Sequence, residues 1–537
     1  MSIIDVRKLP HLTHLDADVC IVGAGAAGIT LARELAATSL EVCLVESGGF
    51  GADPQTQSLY DLQSTGVALR ENYMSRARYF GGSCNLWAGR SMLLGELDLQ
   101  RRDWVPDSGW PISYTELAAY YPRAGDVLEL PGVSAEDFSR YQRRMSADER
   151  EIFANGLFVP TTSLWAKSPQ RFGADFRSLL RRAENVRVLL HASITKINLN
   201  DAGKAVESVT AETLEGGRFQ LRAGRFVLAC GGLENARLLL VSRDRQRNGI
   251  GNELDLVGRY FMDHPRAVFG KVHVPAARRL RALRGRPLSD GKLQFGIGLS
   301  ADTQRREGLL NHYVSLESQT SGYTQARYQA MVQTAKVLLR KGHAGSRWDF
   351  RRMKVSDLPN MVYLLSPKEL MPHLLYRWYV AARDAIPRRP KPQTYIAVYF
   401  CEQPPDRDSR VTLSDSTDRL GTPQLKLHWH IGDSVIRSIL RMQDLLAERL
   451  QATGVGRLER SDEDIQFTDA SHHMGTTRMS AGPESGVVDT DCKVHGVENL
   501  FLAGSSVFPC AGHANPTITI AALSLRLAKH LQMLHAA

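Results

Sequence analysis

The chain has 537 residues, of which 43% are hydrophobic and 23% charged. That length allows two or three domains of ~150 residues, and the composition excludes a collagen-like, coiled-coil or disordered protein. The net charge of +10 is uneven: residues 265–390 hold 23 Lys plus Arg against 8 Asp plus Glu, and that segment has no helix-turn-helix, zinc-finger or RNP pattern, so nucleic acid is not expected as a partner.

No apolar run is long enough to span a membrane, and MSIIDVRKLPHLTHLDAD at the start has no apolar core with a cleavage site. The expected location is cytoplasmic. Seven scattered cysteines without a CxxC pair read as buried reduced thiols, and no metal site is expected.

In chain order, DVCIVG (18–23) reads as a buried strand, AAGITLARELAA (26–37) as a helix and EVCLVE (41–46) as a second strand. Together they form a βαβ unit and predict an α/β start. Gly23, Gly25 and Gly28 form GxGxxG where the strand hands over to the helix. The first glycine permits the tight turn, the second lets a pyrophosphate approach the backbone, and the third lets helix and strand pack. Glu46 follows 18 residues later, where a carboxylate accepts hydrogen bonds from ribose hydroxyls, so a dinucleotide is expected, FAD slightly ahead of NAD.

Further on, 186–199 and 208–230 alternate apolar and polar residues around a Gly-Gly break, as strands and a hairpin do. Residues 320–385 read as mostly helical. TYIAVYF (394–400), RVTL (410–413) and QLKLHWH (424–430) read as strands, NLFLAG (499–504) as another, and Thr517 to Leu531 as a helix. Alcohol oxidation by hydride transfer needs a base for the hydroxyl proton and a polar group that orients the oxygen. HHMGTTRM (472–479) and the loop before Thr517 offer His472, His473, His513 and Asn515 for these tasks.

From about residue 16 to the C-terminus the chain resembles the glucose-methanol-choline (GMC) oxidoreductase family. YFGGSCNLWAG (79–89) and ACGGLENARLLL (229–240) are similar to its flavin-contacting signatures, VGRYFMDHP (257–265) to a typical linker, and SHHMGTTRM with the block through HANPTITIAAL to its active-site region. GWPISYTELAAYY (109–121), EQPPDRDSRVTL (402–413) and HANPT look most like the bacterial branch with sugar and polyol dehydrogenases and pyranose-oxidase-like enzymes.

The resemblance implies an α/β FAD-binding (Rossmann-like) domain from 1–105, 190–264 and 465–537, a connecting helical segment at 106–189, and an α+β substrate domain at 265–464. That domain would have an antiparallel sheet and a basic helical insertion at about 320–390. The insertion reads as a solvated face; contact with an acidic redox partner or an anionic membrane surface is the functional alternative.

The resemblance further implies FAD contacts from Gly23, Gly25, Ala26, Ala27, Gly28, Glu46, Ser47, Gly81, Gly82, Ser83, Asn85, Leu86, Trp87, Ala88, Ile194, Cys230, Gly231, Gly504, Ser505, Asn515, Pro516 and Thr517. His472 falls on the catalytic histidine and Asn515 on the second catalytic position, with His473 and His513 on the substrate side. Leu86 stands where some relatives attach FAD through histidine, which implies non-covalent FAD. The implied reaction is oxidation of a CH–OH group, a sugar, glycoside or polyol favoured, with oxygen, a quinone or a redox protein reoxidising the flavin. The alternatives are an aryl or lipid-like alcohol, or lyase or decarboxylase chemistry on the same scaffold.

Overall fold

The computed structural model describes residues 2–9, 14–69, 75–278, 280, 282–283, 285–318, 393–461 and 463–536. The expected helical insertion at about 320–390 lies outside them.

The N-terminal apolar run forms β2 (His14–Val22), α1 (Ala26–Leu35) follows after the glycine turn, and β3 (Val42–Glu46) pairs parallel to β2, Val19 opposite Val42 through Val22 opposite Val45. Val19–Val22 of β2 and all of β3 are buried, so their Val, Ile, Leu and Cys residues run without polar alternation. On one side the sheet continues through β7 (Val186–Leu190) to β1 (Ile3–Asp5). On the other it continues through β10 (Arg218–Leu228) to β9 (Val206–Glu212) and β8 (Ser193–Leu199), with β20 (Leu500–Leu502) also pairing β10. The pairs from β1 to β10 are parallel, while β10–β9 and β9–β8 are antiparallel. Helices α2 (Gly231–Val241) and α4 (Thr517–Ala536) belong to the same body, α4 lying on α1.

A second sheet of nine strands is antiparallel throughout. Its path runs β18 (Arg457–Glu459), β11 (Arg266–Val274), β15 (Gln393–Phe400), β14 (Tyr313–Ser318), β13 (Gly291–Leu299), β6 (Phe158–Ala166) and β5 (Arg90–Ser91), with β12 (Arg286–Pro287) on β13 and β19 (Phe467–Thr468) on β11. The segment 106–189, expected as a helical connection, therefore contributes β6, which pairs with β13 over nine residues.

A third sheet joins β16 (Arg410–Thr417) and β17 (Pro423–Trp429) to β4 (Leu62–Gly66). RVTL and QLKLHWH are strands, as expected, but not in the sheet that holds TYIAVYF. Alternation identifies a strand and leaves its partner undetermined: β17 pairs parallel with β4, some 360 residues earlier. The Arg237 side chain of α2 pins this sheet, donating to the Pro423 and Thr422 carbonyls and to Asp418. The long amphipathic helix α3 (Asp433–Thr453) follows β17.

Candidate active site

The glycine turn is shaped for a phosphate. Gly23 has φ +101°, and a Cβ there would lie 2.8 Å from the Ala229 carbonyl oxygen; at Gly28 it would lie 1.9 Å from the Gly23 oxygen. At Gly25, in extended backbone, an added Cβ meets nothing within 4 Å. Gly25 is also the N-cap of α1 and gives the helix no side-chain cap, so the first N–H groups at Ala26 and Ala27 are left for an anion. Gly81 donates its N–H to the Ala24 carbonyl and Gly82 closes on Gly25, so the 79–89 loop walls the turn.

Glu46 is 5% exposed; its Oε2 accepts from the Ala24 N–H at 3.0 Å and its Oε1 from the Gly48 N–H at 2.9 Å. Burial raises its carboxyl above the usual range, and these N–H groups oppose the rise. Each oxygen keeps a lone-pair site for a hydroxyl donor. Beside it lies a crevice whose walls include Gly23, Ser47, Ile194, Cys230, Arg78 and Glu234. Arg78 donates to Ser47 Oγ and to Glu234, and with Arg76 it covers the Tyr60 ring. The donors, carboxylate and open Gly25 fit an ADP-ribose moiety.

The remaining residues of the expected cofactor set hold the surrounding loops. Asn85 donates to the Phe80 carbonyl, Trp87 to that of Gln170, and Ser83 Oγ accepts from the Ala77 N–H; Leu86 and Ala88 complete this loop. Cys230 donates its N–H to Asn235 and leads into Gly231, the first residue of α2. Gly504 has φ +108°, and Ser505 Oγ donates to the His473 carbonyl. Asn515, Pro516 and Thr517 lead into α4.

Backbone pairing draws the distant histidine blocks together. Met474 and Met262 exchange N–H···O bonds of 2.9 and 3.0 Å, and Thr477 and Met479 donate to the carbonyls of Ser506 and Val507. His472 and Asn515 consequently meet, Nε2 to Nδ2, at 3.2 Å. On its other side His472 Nδ1 lies 2.9 Å from His264 Nδ1, and His264 Nε2 lies 3.2 Å from the Ala511 carbonyl.

A carbonyl only accepts, so His264 carries its hydrogen on Nε2 and presents a lone pair at Nδ1. Burial lowers its pKa to about 4, which keeps the ring neutral. His472 must then donate from Nδ1, and its Nε2 is the lone-pair nitrogen, with the Asn515 amide N–H directed at it. Asp263 holds both histidine-bearing segments, its Oδ1 accepting from the N–H groups of His264, Ala470 and His472. Burial, reinforced by Asp469, pushes the Asp263 carboxyl up to about 7.

The two substrate-side candidates separate. His473 is 7% exposed and packs on Phe261, with Nε2 4.0 Å from Asp263 Oδ2. Burial takes its pKa down to about 3. His472 reaches Asn515, while its neighbour His473 is buried against Phe261. His513 donates from Nδ1 to the Asn311 carbonyl at 3.1 Å and lies 4.9 Å from the Tyr313 ring on the nine-stranded sheet.

The family model described as GMC oxidoreductase matches residues 405–524, and the one described as FAD dependent oxidoreductase matches residues 18–252. It is an FAD-dependent oxidoreductase of the GMC family. Paromamine 6'-oxidase of Streptomyces fradiae is 25% identical to this GMC oxidoreductase, with 95% of this chain and 90% of the relative covered. Fructose dehydrogenase large subunit of Gluconobacter japonicus is 24% identical, with 96% and 97% covered. Among solved structures, pyridoxine 4-oxidase from Mesorbium loti superposes with a TM-score of 0.56 at 18% identity, covering 96% of this chain and 99% of that one. Among the described residues of the GMC oxidoreductase, no helix is long and apolar enough to cross a membrane.

Sequence reasoning missed His264, Arg78 and Glu234. His264 lies in VGRYFMDHP, whose DH dipeptide was a usable signal, and Glu234 lies in the second flavin signature; Arg78 lies just before the first and carried none. For this GMC oxidoreductase the open Gly25 yields an expected result. Gly25→Ala should cost the apoprotein roughly 1 kcal/mol or less, the difference between the two residues at an N-cap, yet place a methyl in the open space that a pyrophosphate would use. Flavin absorbance per chain after gel filtration should fall sharply while the circular dichroism spectrum is unchanged.

Proposed function

We propose that this enzyme oxidises a CH–OH group of a sugar, glycoside or other polyol to a ketone or aldehyde, with His472 as base and Asn515 orienting the substrate oxygen. The observation that carries the reading is the 3.2 Å His472–Asn515 pair, with the lone pair of His472 held on Nε2 by the contact to His264. FAD, when bound, supplies at N5 the acceptor for the hydride. His472 Nε2 takes the hydroxyl proton, and His264 Nδ1, accepting from His472 Nδ1, stabilises the positive ring that results. Asn515 exchanges its contact with His472 for one to the substrate oxygen, where charge develops.

We assign the cofactor to the mainly parallel sheet and its helices, and the substrate to the nine-stranded sheet. The face of that sheet beside His513 carries Trp165, Tyr313 and Phe400 with Arg90 and Ser163. Rings for the apolar faces of a pyranose, with polar groups between them, support a sugar over an aryl or lipid-like alcohol. The relatives named as acting on paromamine and fructose point the same way.

An anaerobic screen of sugars, glycosides, polyols and aryl alcohols for flavin bleaching tests the reading; bleaching by aryl alcohols alone would reverse the substrate assignment. Acid precipitation should release the yellow colour into the supernatant, since we read the FAD as non-covalent; colour retained in the pellet would show a covalent link.

The positioning role of His264 has its own expected result. The oxygen of asparagine replaces the Nδ1 acceptor, and leucine does not. His264→Leu should slow flavin reduction and shift the acid limb of its pH profile downward, because the His472 imidazolium loses its acceptor. His264→Asn should keep that limb near its wild-type position.

A further inference from the structure

One face of the nine-stranded sheet is basic as well as aromatic. Arg90 lies opposite Trp165, Tyr313 opposite Phe400, and Phe400 opposite Arg266. Residues paired across an antiparallel ladder share a face, so two guanidiniums and three rings stand on one wall.

The Arg90 guanidinium lies 5.1 Å from the Trp165 ring centre, 4.8 Å from that of Phe400 and 5.5 Å from that of Tyr313. Its Nε and Nη2 both donate to one oxygen, Ser163 Oγ. Five N–H donors are present in a guanidinium, and among the described residues Nη1 has no acceptor and no carboxylate lies within 4.0 Å of the group. Arg266 faces the same Phe400 ring at 5.3 Å, with Glu317 3.5 Å away and 39% exposed. Ring quadrupoles attract a cation without neutralising it, so among the described residues this wall keeps unbalanced positive charge. The Tyr313 ring that Arg90 approaches at 5.5 Å also lies 4.9 Å from the ring of His513, two residues before Asn515.

We propose that Arg90 receives an oxyanion, a carboxylate or a phosphate, carried by the substrate at a position remote from the carbon that is oxidised. The inference rests on the reading of His472 and Asn515 as the site of the reacting hydroxyl. The Nη1 and Nη2 edge of Arg90 forms a fork for a bidentate oxyanion, and Trp165 and Phe400 hold the guanidinium plane. The excess of 15 positive charges over residues 265–390 agrees with an anionic ligand. Arg90 itself lies outside that segment, in the strand that follows the first flavin signature.

The test uses the FAD-loaded enzyme and two matched pairs, glucuronate against glucose and glucose 6-phosphate against glucose. Binding is followed by calorimetry and flavin reduction by anaerobic bleaching. The wild type should prefer one anionic member, and the preferred pair identifies carboxylate or phosphate. Arg90→Gln should reduce that preference roughly 10- to 100-fold, the worth of a charge-assisted hydrogen bond. Arg90→Lys should fall between, because it keeps the charge without the fork. Arg218→Gln, at an exposed arginine on the cofactor sheet, should leave the preference intact.

Equal binding of anionic and neutral members by the wild type, or a preference that survives Arg90→Gln, overturns the proposal. An Arg90-dependent preference in binding, with no alcohol bleaching the flavin, leaves the anion site standing and rejects the alcohol-oxidation reading instead.

Discussion

His472→Ala should abolish flavin reduction by any active alcohol while the protein keeps its FAD, with a loss of roughly 10² to 10⁴ in rate from the missing base alone. Asn515→Ala should lower the rate and spare measurable turnover, because an amide takes up no proton and contributes orientation and charge stabilisation. Stopped-flow bleaching of the flavin band under anaerobic conditions checks both. Reduction of a His472 variant at the wild-type rate would remove the mechanism. His473 is no substitute: it is buried and packed on Phe261, so His473→Ala should disturb folding more than it alters the pH profile.

The second large effect is expected at a buried ion pair. Arg102 and Glu402 are both 0% exposed in their side chains; Nη1 donates to Oε2 at 2.9 Å and Nη2 to Oε1. Glu402 also accepts from the Asn311 N–H at 2.8 Å. Burial opposes the charge on Glu402, yet Arg102 beside it holds the carboxyl below its ordinary range.

Glu402→Ala leaves a guanidinium enclosed without its counter-charge and should cost about 3–5 kcal/mol, whereas Arg102→Met with Glu402→Leu should recover most of the loss. The thermal midpoints of the single and double variants check this. Because the folded pKa of Glu402 lies below its unfolded value, the stability it contributes is present above the ordinary Glu range and is lost as pH falls through the folded value. Asn311 links the pair to chemistry: its carbonyl accepts from His513 and its Nδ2 donates to Asp98 Oδ1. The single variant should therefore also slow flavin reduction at temperatures where it remains folded.

The sequence by itself determined the local structures and the chemistry they carry. A βαβ start is legible because Val19–Val22 of β2 and Val42–Val45 of β3 are covered on both faces, which favours an unbroken apolar run. The glycine turn is legible because Gly23 and Gly28 leave no room for a Cβ, and Glu46 because its spacing from them follows from the length of α1. His472, His473, His513 and Asn515 stood out as residue types able to take a proton or hold an oxygen, and the family resemblance singled out His472 and Asn515.

Tertiary structure decided the pairings between distant segments. Nothing local to QLKLHWH states that its partner is Leu62–Gly66, nor that a strand from 158–166 pairs with β13 in the nine-stranded sheet, because ladder hydrogen bonds join main-chain groups that every residue possesses. The choice between His472 and His473 depended on which of the two neighbouring side chains the fold brings to Asn515. The tautomer of His472 depended on His264, more than 200 residues earlier, and on one carbonyl at Ala511. Side-chain chemistry can be read one residue at a time, whereas the direction of a proton is set by three groups that only the folded chain brings into contact.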